Sequence, residues 1–252
     1  MIHALKAFIL CALVGISAPA YALDLNNMSD VEKQQFGQQV RAYLLENPDI
    51  ILEVFDILKT QQQQDEQNRD ADLVANNLQE IQNDGFSWVG GNLDGDITLV
   101  EFMDYKCSYC RKAHKEIADL VKTDGNIRMV VKEYPILSQD SFDLSRAAIA
   151  TLQNLGPDAY KKIYDKLIQH NGPVTPEAIG FIAKKLGLDG DTIVAHMDDA
   201  AVLEQIKNTR ALGDTLDITG TPTFVINDQI LRGYVPPDSM RQIVAELRAR
   251  IQ

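Results

Sequence analysis

The sequence has little cysteine, no excess of positive charge and almost no long apolar runs, and each shortage excludes a class of protein. Twenty-four lysines and arginines face 36 aspartates and glutamates, a formal net charge of −12. Such a chain has no electrostatic footprint for nucleic acid or an anionic membrane surface, so no nucleic-acid partner is expected. The one long apolar run, Ala7 to Ile16, is short for a bilayer span, which needs roughly 20 residues. Lys6 precedes it, and Ser17-Ala18-Pro19-Ala20-Tyr21-Ala22 follows with small residues at A-x-A spacing. That pattern reads as a secretory signal peptide over residues 1–22, cut after Ala20 or Ala22. The shortened chain is expected to be soluble, exported and more acidic by the loss of Lys6.

Of three cysteines, Cys11 leaves with the signal, and only Cys107 and Cys110 remain. Exported proteins commonly use cysteine for structural disulfides. A bridge across two intervening residues closes too short a loop to stabilise the fold much. The Cys107-Ser108-Tyr109-Cys110 motif therefore reads as thiol–disulfide chemistry. Zinc needs two further ligands, and His114, His170 and His196 have no paired spacing, so no metal is expected. An inert structural bridge is the other alternative. No cofactor is expected beyond a redox-active Cys107–Cys110 disulfide.

Along the chain, residues 23–84 differ in texture from residues 85–252. Ser29-Asp30-Val31-Glu32 is a capping-box pattern, with Val31, Phe36, Val40, Tyr43 and Leu44 at helical spacing. Pro48 interrupts and can open a second helix, in which Ile50, Ile51, Val54, Phe55, Ile57 and Leu58 form a broad apolar face. The polar stretch from Gln61 to Asp72 is either a solvated helix face or a linker, and Leu73, Val74, Leu78 and Ile81 form a third helical piece. These pieces have too little mutual surface for a core of their own. Residues 24–84 are expected to bury their apolar faces in a homo-oligomer, docking on the same chain being the alternative.

From Trp88, a packing residue, the pattern is that of a mixed sheet. Ile97–Met103 reads as a buried strand, the segment after Cys107 as a helix, and Ile127–Lys132 as a second strand. Residues 138–216 read as three or four helices, and Thr223–Ile226 with Ile230–Arg232 complete the sheet before a closing helix from Pro237. A cysteine opening a helix there has its thiolate favoured by unpaired N–H groups and the positive end of the dipole. Cys107 is expected to be that thiolate, exposed at the tip, and Cys110 the buried resolving thiol.

Val100 to Cys110 resembles the active-site strand and helix of the DsbA-like thioredoxin-fold proteins, and Gly220-Thr221-Pro222-Thr223-Phe224 resembles their cis-proline loop. The run from Phe36 to Pro48 is similar to the prefix of the ScsC branch, the suppressor-of-copper-sensitivity proteins of the bacterial periplasm. The fold implied is α/β: a thioredoxin fold with a helical domain inserted at about 138–216 and an N-terminal helical oligomerisation segment. The resemblance implies that Pro222 is cis and that Thr221, with Ser108 and Tyr109, contacts the client polypeptide. Without it, Thr-Pro before a strand reads merely as a turn. Glu101 matches an acidic residue beneath the family's active site, where it takes the proton as Cys110 attacks; a solvent-side strand glutamate is the alternative. Lys132 and Glu133 are expected to pair near it. The strongly oxidising members carry histidine where this chain has Tyr109, whereas Tyr109 beside Thr-Pro looks like the isomerase DsbC. A less depressed Cys107 pKa and a less oxidising couple are the expected result. The function expected is a periplasmic disulfide isomerase or reductase acting on exported proteins with cysteines and reset by a membrane redox partner. A dithiol oxidase is the alternative within the class. A cuprous-ion binder or a holdase is the alternative outside it.

Overall fold

Ser29 starts the described chain's first helix, α1 (Asp30–Glu46), in a computed structural model that describes residues 27–251. The signal-peptide reading of residues 1–22, with Cys11, lies outside the described residues. The Ser29 hydroxyl accepts from the Glu32 N–H, and the Glu32 carboxylate accepts from the Ser29 N–H at 2.8 Å. This reciprocal pairing satisfies two helix-end donors. Asn47-Pro48 separates α1 from α2 (Asp49–Asn76), a single helix of 28 residues. The glutamine run is thus a solvated helical stretch. The chain divides into two compact units at Thr60–Gln61. In the first, α1 buries none of its residues, and Phe36, Val40, Tyr43, Ile51, Val54 and Phe55 are exposed.

The second unit holds the remainder of α2, α3 (Leu78–Gln82) and a five-stranded sheet: β1 (Trp88–Gly91), β2 (Ile97–Met103), β3 (Ile127–Glu133), β4 (Thr223–Ile226) and β5 (Gln229–Arg232). The order is β1-β3-β2-β4-β5, with β2 and β3 parallel and every other pair antiparallel. β2 is covered on both faces, which is why it reads as a continuous apolar run. Leu99 and Met103 pack on one side, toward α4 (Ser108–Asp124) and α10 (Pro237–Ile251); Val100 and Phe102 pack on the other, against Val74, Ile81 and Leu216. Val74 and Ile81 are almost fully buried, each worth roughly 1.5–3 kcal/mol. Asp70 accepts a bidentate ion pair from Arg232 at 2.6 and 2.9 Å. These contacts hold the end of α2 and α3 to the sheet of the second unit.

The helical insertion contains five helices, not three or four: α5 (Gln139–Leu155), α6 (Pro157–Leu167), α7 (Pro176–Lys185), α8 (Gly190–His196) and α9 (Ala200–Thr215). The short α8 begins at Gly190. A side chain at Gly190 would come within 2.3 Å of the Gly180 carbonyl oxygen, so its glycine serves helix packing. β1 is not legible as a strand in the sequence either; Gly90-Gly91 hides it. Trp88 packs as expected, stacking on Tyr160 with centroids 5.7 Å apart and donating its ring N–H to the Pro157 carbonyl at 3.1 Å.

The Lys132–Glu133 ion pair does not form. Successive strand residues point to opposite faces. Lys132 therefore reaches Asp84 at 2.5 Å and the Glu80 carbonyl at 2.7 Å on the α3 side, whereas Glu133 enters the other core.

Candidate active site

β2 stops at Met103, and the buried Asp104 governs the path of the chain into α4. One carboxylate oxygen accepts from the Lys106 N–H at 2.8 Å; the other accepts from Ile136 and Leu137 N–H at 2.8 and 3.0 Å. A single side chain thus fixes both the loop before Cys107 and the loop after β3. Arg111 secures the first turn of α4 to the insertion, donating to the Tyr105 carbonyl at 2.9 Å and the His170 carbonyl at 3.0 Å.

Cys107 is the N-cap of α4, its Sγ accepting from the Cys110 N–H at 3.4 Å. Both cysteines are free thiols. Across from them the Thr221–Pro222 peptide is cis, and the Thr221 carbonyl lies 3.1 Å from Cys107 Sγ, within reach of a hydrogen bond from the thiol. The Thr221 hydroxyl is buried without a partner. Cys107 retains only 7% exposure and Cys110 only 1%, so the attacking sulfur is less open than a helix tip suggests. Ser108 is exposed, and so is Tyr109, which stacks on Tyr234 with centroids 6.0 Å apart. Lys112 Nζ lies 4.1 Å above the Tyr234 ring, and the Tyr234 hydroxyl donates to Glu116 at 2.8 Å.

The two sulfurs differ sharply in acidity. The Cys110 thiol, donating to Cys107, and the Cys110 and Tyr109 backbone N–H groups bring the Cys107 pKa down to about 5 against the opposing effect of burial. Burial raises the Cys110 pKa far above the ordinary thiol range, and its own bond to Cys107 and the Glu101 charge add to that. A separation of this kind leaves Cys107 the readily ionised sulfur and Cys110 the thiol that keeps its proton. Alkylation of Cys107 in the reduced protein should therefore rise with pH through a midpoint of about 5, and Cys110→Ala should move that midpoint upward. A depressed folded-state pKa also stabilises the reduced fold at high pH. That contribution should fade as pH falls from the ordinary thiol range through about 5, read as convergence of the melting temperatures of reduced and oxidised protein.

Beneath the cysteines lie two buried acids. Glu101 and Val131 are register partners, so Glu101 and Glu133 project into the same core. Burial raises Glu101 to about 8; the nearby Tyr164 hydroxyl of α6 opposes the rise, while the Cys107 and Glu133 charges add to it. Its Oε2 has no partner. Glu133 is raised to about 7, again by burial, against three hydroxyls that hold its charged form. Tyr105 and Tyr160 donate to Oε1 at 2.8 and 2.6 Å, and Ser145 to Oε2 at 2.8 Å. Glu101 is not the solvent-side strand residue that sequence alone left open. Asp104 and Tyr164 do not stand out in the sequence as site residues, and Glu133 reads there only as an ion-pair partner of Lys132. For Asp104, its position just after a strand and before the motif is the available signal; Tyr164 has none, because it lies 54 positions beyond Cys110.

The DSBA-like thioredoxin domain family matches residues 98–245, and the copper resistance protein ScsC N-terminal domain matches residues 32–65. Among solved structures, the chain is 34% identical to a thioredoxin-like oxidoreductase from Silicibacter pomeroyi DSS-3, with a TM-score of 0.63, over 68% of this chain and 97% of that one. Proteus mirabilis ScsC in a transitional conformation shares the fold at 24% identity and a TM-score of 0.65, over 88% of this chain and 100% of that one. Among curated proteins, the chain is 29% identical over 140 residues to Na(+)/H(+) antiporter NhaA 1 of Salinispora arenicola. That match takes in 55% of this chain but only 21% of the relative's length. No described helix is long and apolar enough to cross a membrane.

Proposed function

The chain belongs to the DSBA-like thioredoxin domain family, and from that premise we propose that it is a periplasmic thiol–disulfide oxidoreductase acting on exported proteins that carry cysteines. The observation that carries this reading is Cys107 at the N-terminus of α4, with Cys110 one turn behind it and the Thr221 carbonyl 3.1 Å in front. The Cys107 thiolate attacks a client disulfide; one client sulfur leaves as thiolate, and a Cys107–client bond forms. Cys110 then gives up its proton and attacks Cys107 Sγ, releasing the client as a second thiolate and closing the Cys107–Cys110 disulfide. A client thiolate attacking the mixed bond instead completes isomerisation and leaves the enzyme reduced. Glu101 takes the Cys110 proton in this reading, supported by its burial and by the effect of its charge on Cys110. Thr221, Pro222, Ser108 and the exposed Tyr109 border the client, and a membrane redox partner resets the pair.

Isomerisation is the direction we favour. The Cys107 pKa of about 5 lies between roughly 3.5 for DsbA and roughly 7 for thioredoxin, and a more basic thiolate is a stronger nucleophile per molecule. The exposed apolar side chains of α1 and the start of α2 supply a surface for self-association, and several joined sites favour repeated attack on one client. The deciding measurement is refolding of a scrambled and of a reduced disulfide protein, together with the redox potential. Rescue of the scrambled client and a potential below the roughly −120 mV of DsbA are expected; rapid oxidation of the reduced client without rescue overturns the isomerase direction. By light scattering, the chain should exceed its monomer mass of 28.1 kDa, less any signal removed, whereas a chain beginning at Gln61 should be monomeric.

A further inference from the structure

Along α4 runs a cavity of about 480 Å³ that the thiol chemistry does not use, and we propose that it binds a small amphipathic carboxylate, an acyl or aromatic body carrying one negative charge. Its size falls within the range of small-molecule sites, roughly 300–1,000 Å³. Trp88 of β1, Val121 of α4, Met129 of β3 and Tyr164 of α6 give it an apolar lining from four elements. The Trp88 wall is fixed by the stack on Tyr160 and the bond to the Pro157 carbonyl. Gly91, at φ +71°, borders the same space. A side chain there would run into the Ile127 carbonyl oxygen and come within 2.8 Å of Val121 Cγ1, so glycine lets β1 pass this close to α4.

Charge selects the class of ligand. The chain carries a formal net charge of −12, yet among the described residues no aspartate or glutamate lines this cavity, whereas Lys122 and Lys161 do. Lys161 Nζ and His114 Nε2 share a single carboxylate, Asp165, at 2.6 and 3.0 Å. Lys122, in the last turn of α4, has no carboxylate partner among the described residues. The negative end of the helix dipole there amounts to about half an elementary charge, less than the lysine's own. A positive charge therefore remains uncompensated beside apolar walls. An anion with an apolar body satisfies both features, while a neutral or cationic one of the same shape satisfies only the walls.

Trp88 is the single tryptophan of the chain, so its emission in the full-length protein reports this cavity and not the exposed apolar side chains of α1 and α2. The test is titration with sodium decanoate and with 4-phenylbutyrate, each below its aggregation range. A saturable change in Trp88 emission is expected with at least one of them, and the tighter of the two tells whether the body is acyl or aromatic. Decyltrimethylammonium, with the same chain length and the opposite charge, should bind at least tenfold more weakly than decanoate.

Two variants locate the site. Ala118 lines the cavity from an exposed position on α4, and Ala118→Phe should fill the space and abolish the emission change while disulfide reduction continues at the wild-type rate. Lys122→Gln, a surface change, should weaken carboxylate binding about fivefold, the effect of one unit charge pair at 4 Å in water. Absence of a saturable change with both carboxylates overturns the inference. So does equal binding of the decyl cation and decanoate, which would mark an apolar surface without charge selection. Wild-type affinity in Lys122→Gln or in Ala118→Phe overturns it as well. Should Ala118→Phe not fold, Lys122→Gln decides the matter alone.

Discussion

Replacing Cys107 by serine should reduce disulfide exchange to the uncatalysed background, a loss on the order of 10³-fold or more. A serine hydroxyl cannot ionise under the N–H groups of α4 as a thiol does, and an oxygen cannot form the mixed disulfide. Cys110→Ser should behave differently. Cys107 still attacks, because the helix end and the neighbouring hydroxyl still favour its thiolate, but resolution fails and the client stays attached. Non-reducing electrophoresis should show covalent enzyme–client complexes for Cys110→Ser and none for Cys107→Ser. Equal activity in the two variants would remove the division of labour drawn from their opposite pKa shifts. The same pair separates catalysis from a holdase role, since suppression of client aggregation through α1 and α2 does not need Cys107.

Glu101→Gln should make the protein more stable and slower at once. Glutamine has the same shape and no charge. The folded-state pKa of Glu101 is about 8, against an ordinary 4.5. Between those values the unfolded chain has released a proton that the folded chain still holds, so wild-type stability falls as pH rises. The variant lacks this loss, and its advantage should grow from about pH 4.5 to about pH 8, reaching a few kcal/mol at most. Chemical denaturation across that range measures it. Resolution by Cys110, by contrast, should slow about 100-fold with the base gone, and its rise with pH should disappear. The wild-type midpoint for resolution should lie below about 8: the Cys107 thiolate is one cause of the raised value, and in the mixed disulfide that charge is gone. Glu101 is thus mostly neutral beside a free Cys107 thiolate and becomes a better-ionised base when Cys107 is bonded to a client. A variant with unchanged resolution and unchanged pH dependence would take Glu101 out of the mechanism.

How far the site could be read from sequence depended on how far apart its parts lie along the chain. Cys107 and Cys110 sit three positions apart at the start of one helix, so local spacing was enough to join them, whereas Glu101, six positions before Cys107, entered through the resemblance. Thr221 and Pro222 came from resemblance, since their approach to Cys107 depends on β4 pairing antiparallel with β2. The glutamine run of α2 was ambiguous because a polar stretch with no buried face carries no periodicity. Lys132 and Glu133 look like a pair in sequence, but the strand turns one to each face.

By itself, the sequence determined the elements that short-range chemistry controls: the capped start of α1, the buried β2, the cysteine at the N-terminus of α4 and the acidic surface. Only the tertiary structure decided what surrounds the reacting sulfurs. Asp104 tying two loops depends on β3 returning beside β2, and Glu133 held by three hydroxyls from the β2–α4 loop, α5 and α6 depends on packing the insertion over one face of the sheet. Burial and hydrogen bonding there set the acidities of Cys110 and Glu101, and both are properties of an environment assembled from distant segments, which no local pattern encodes.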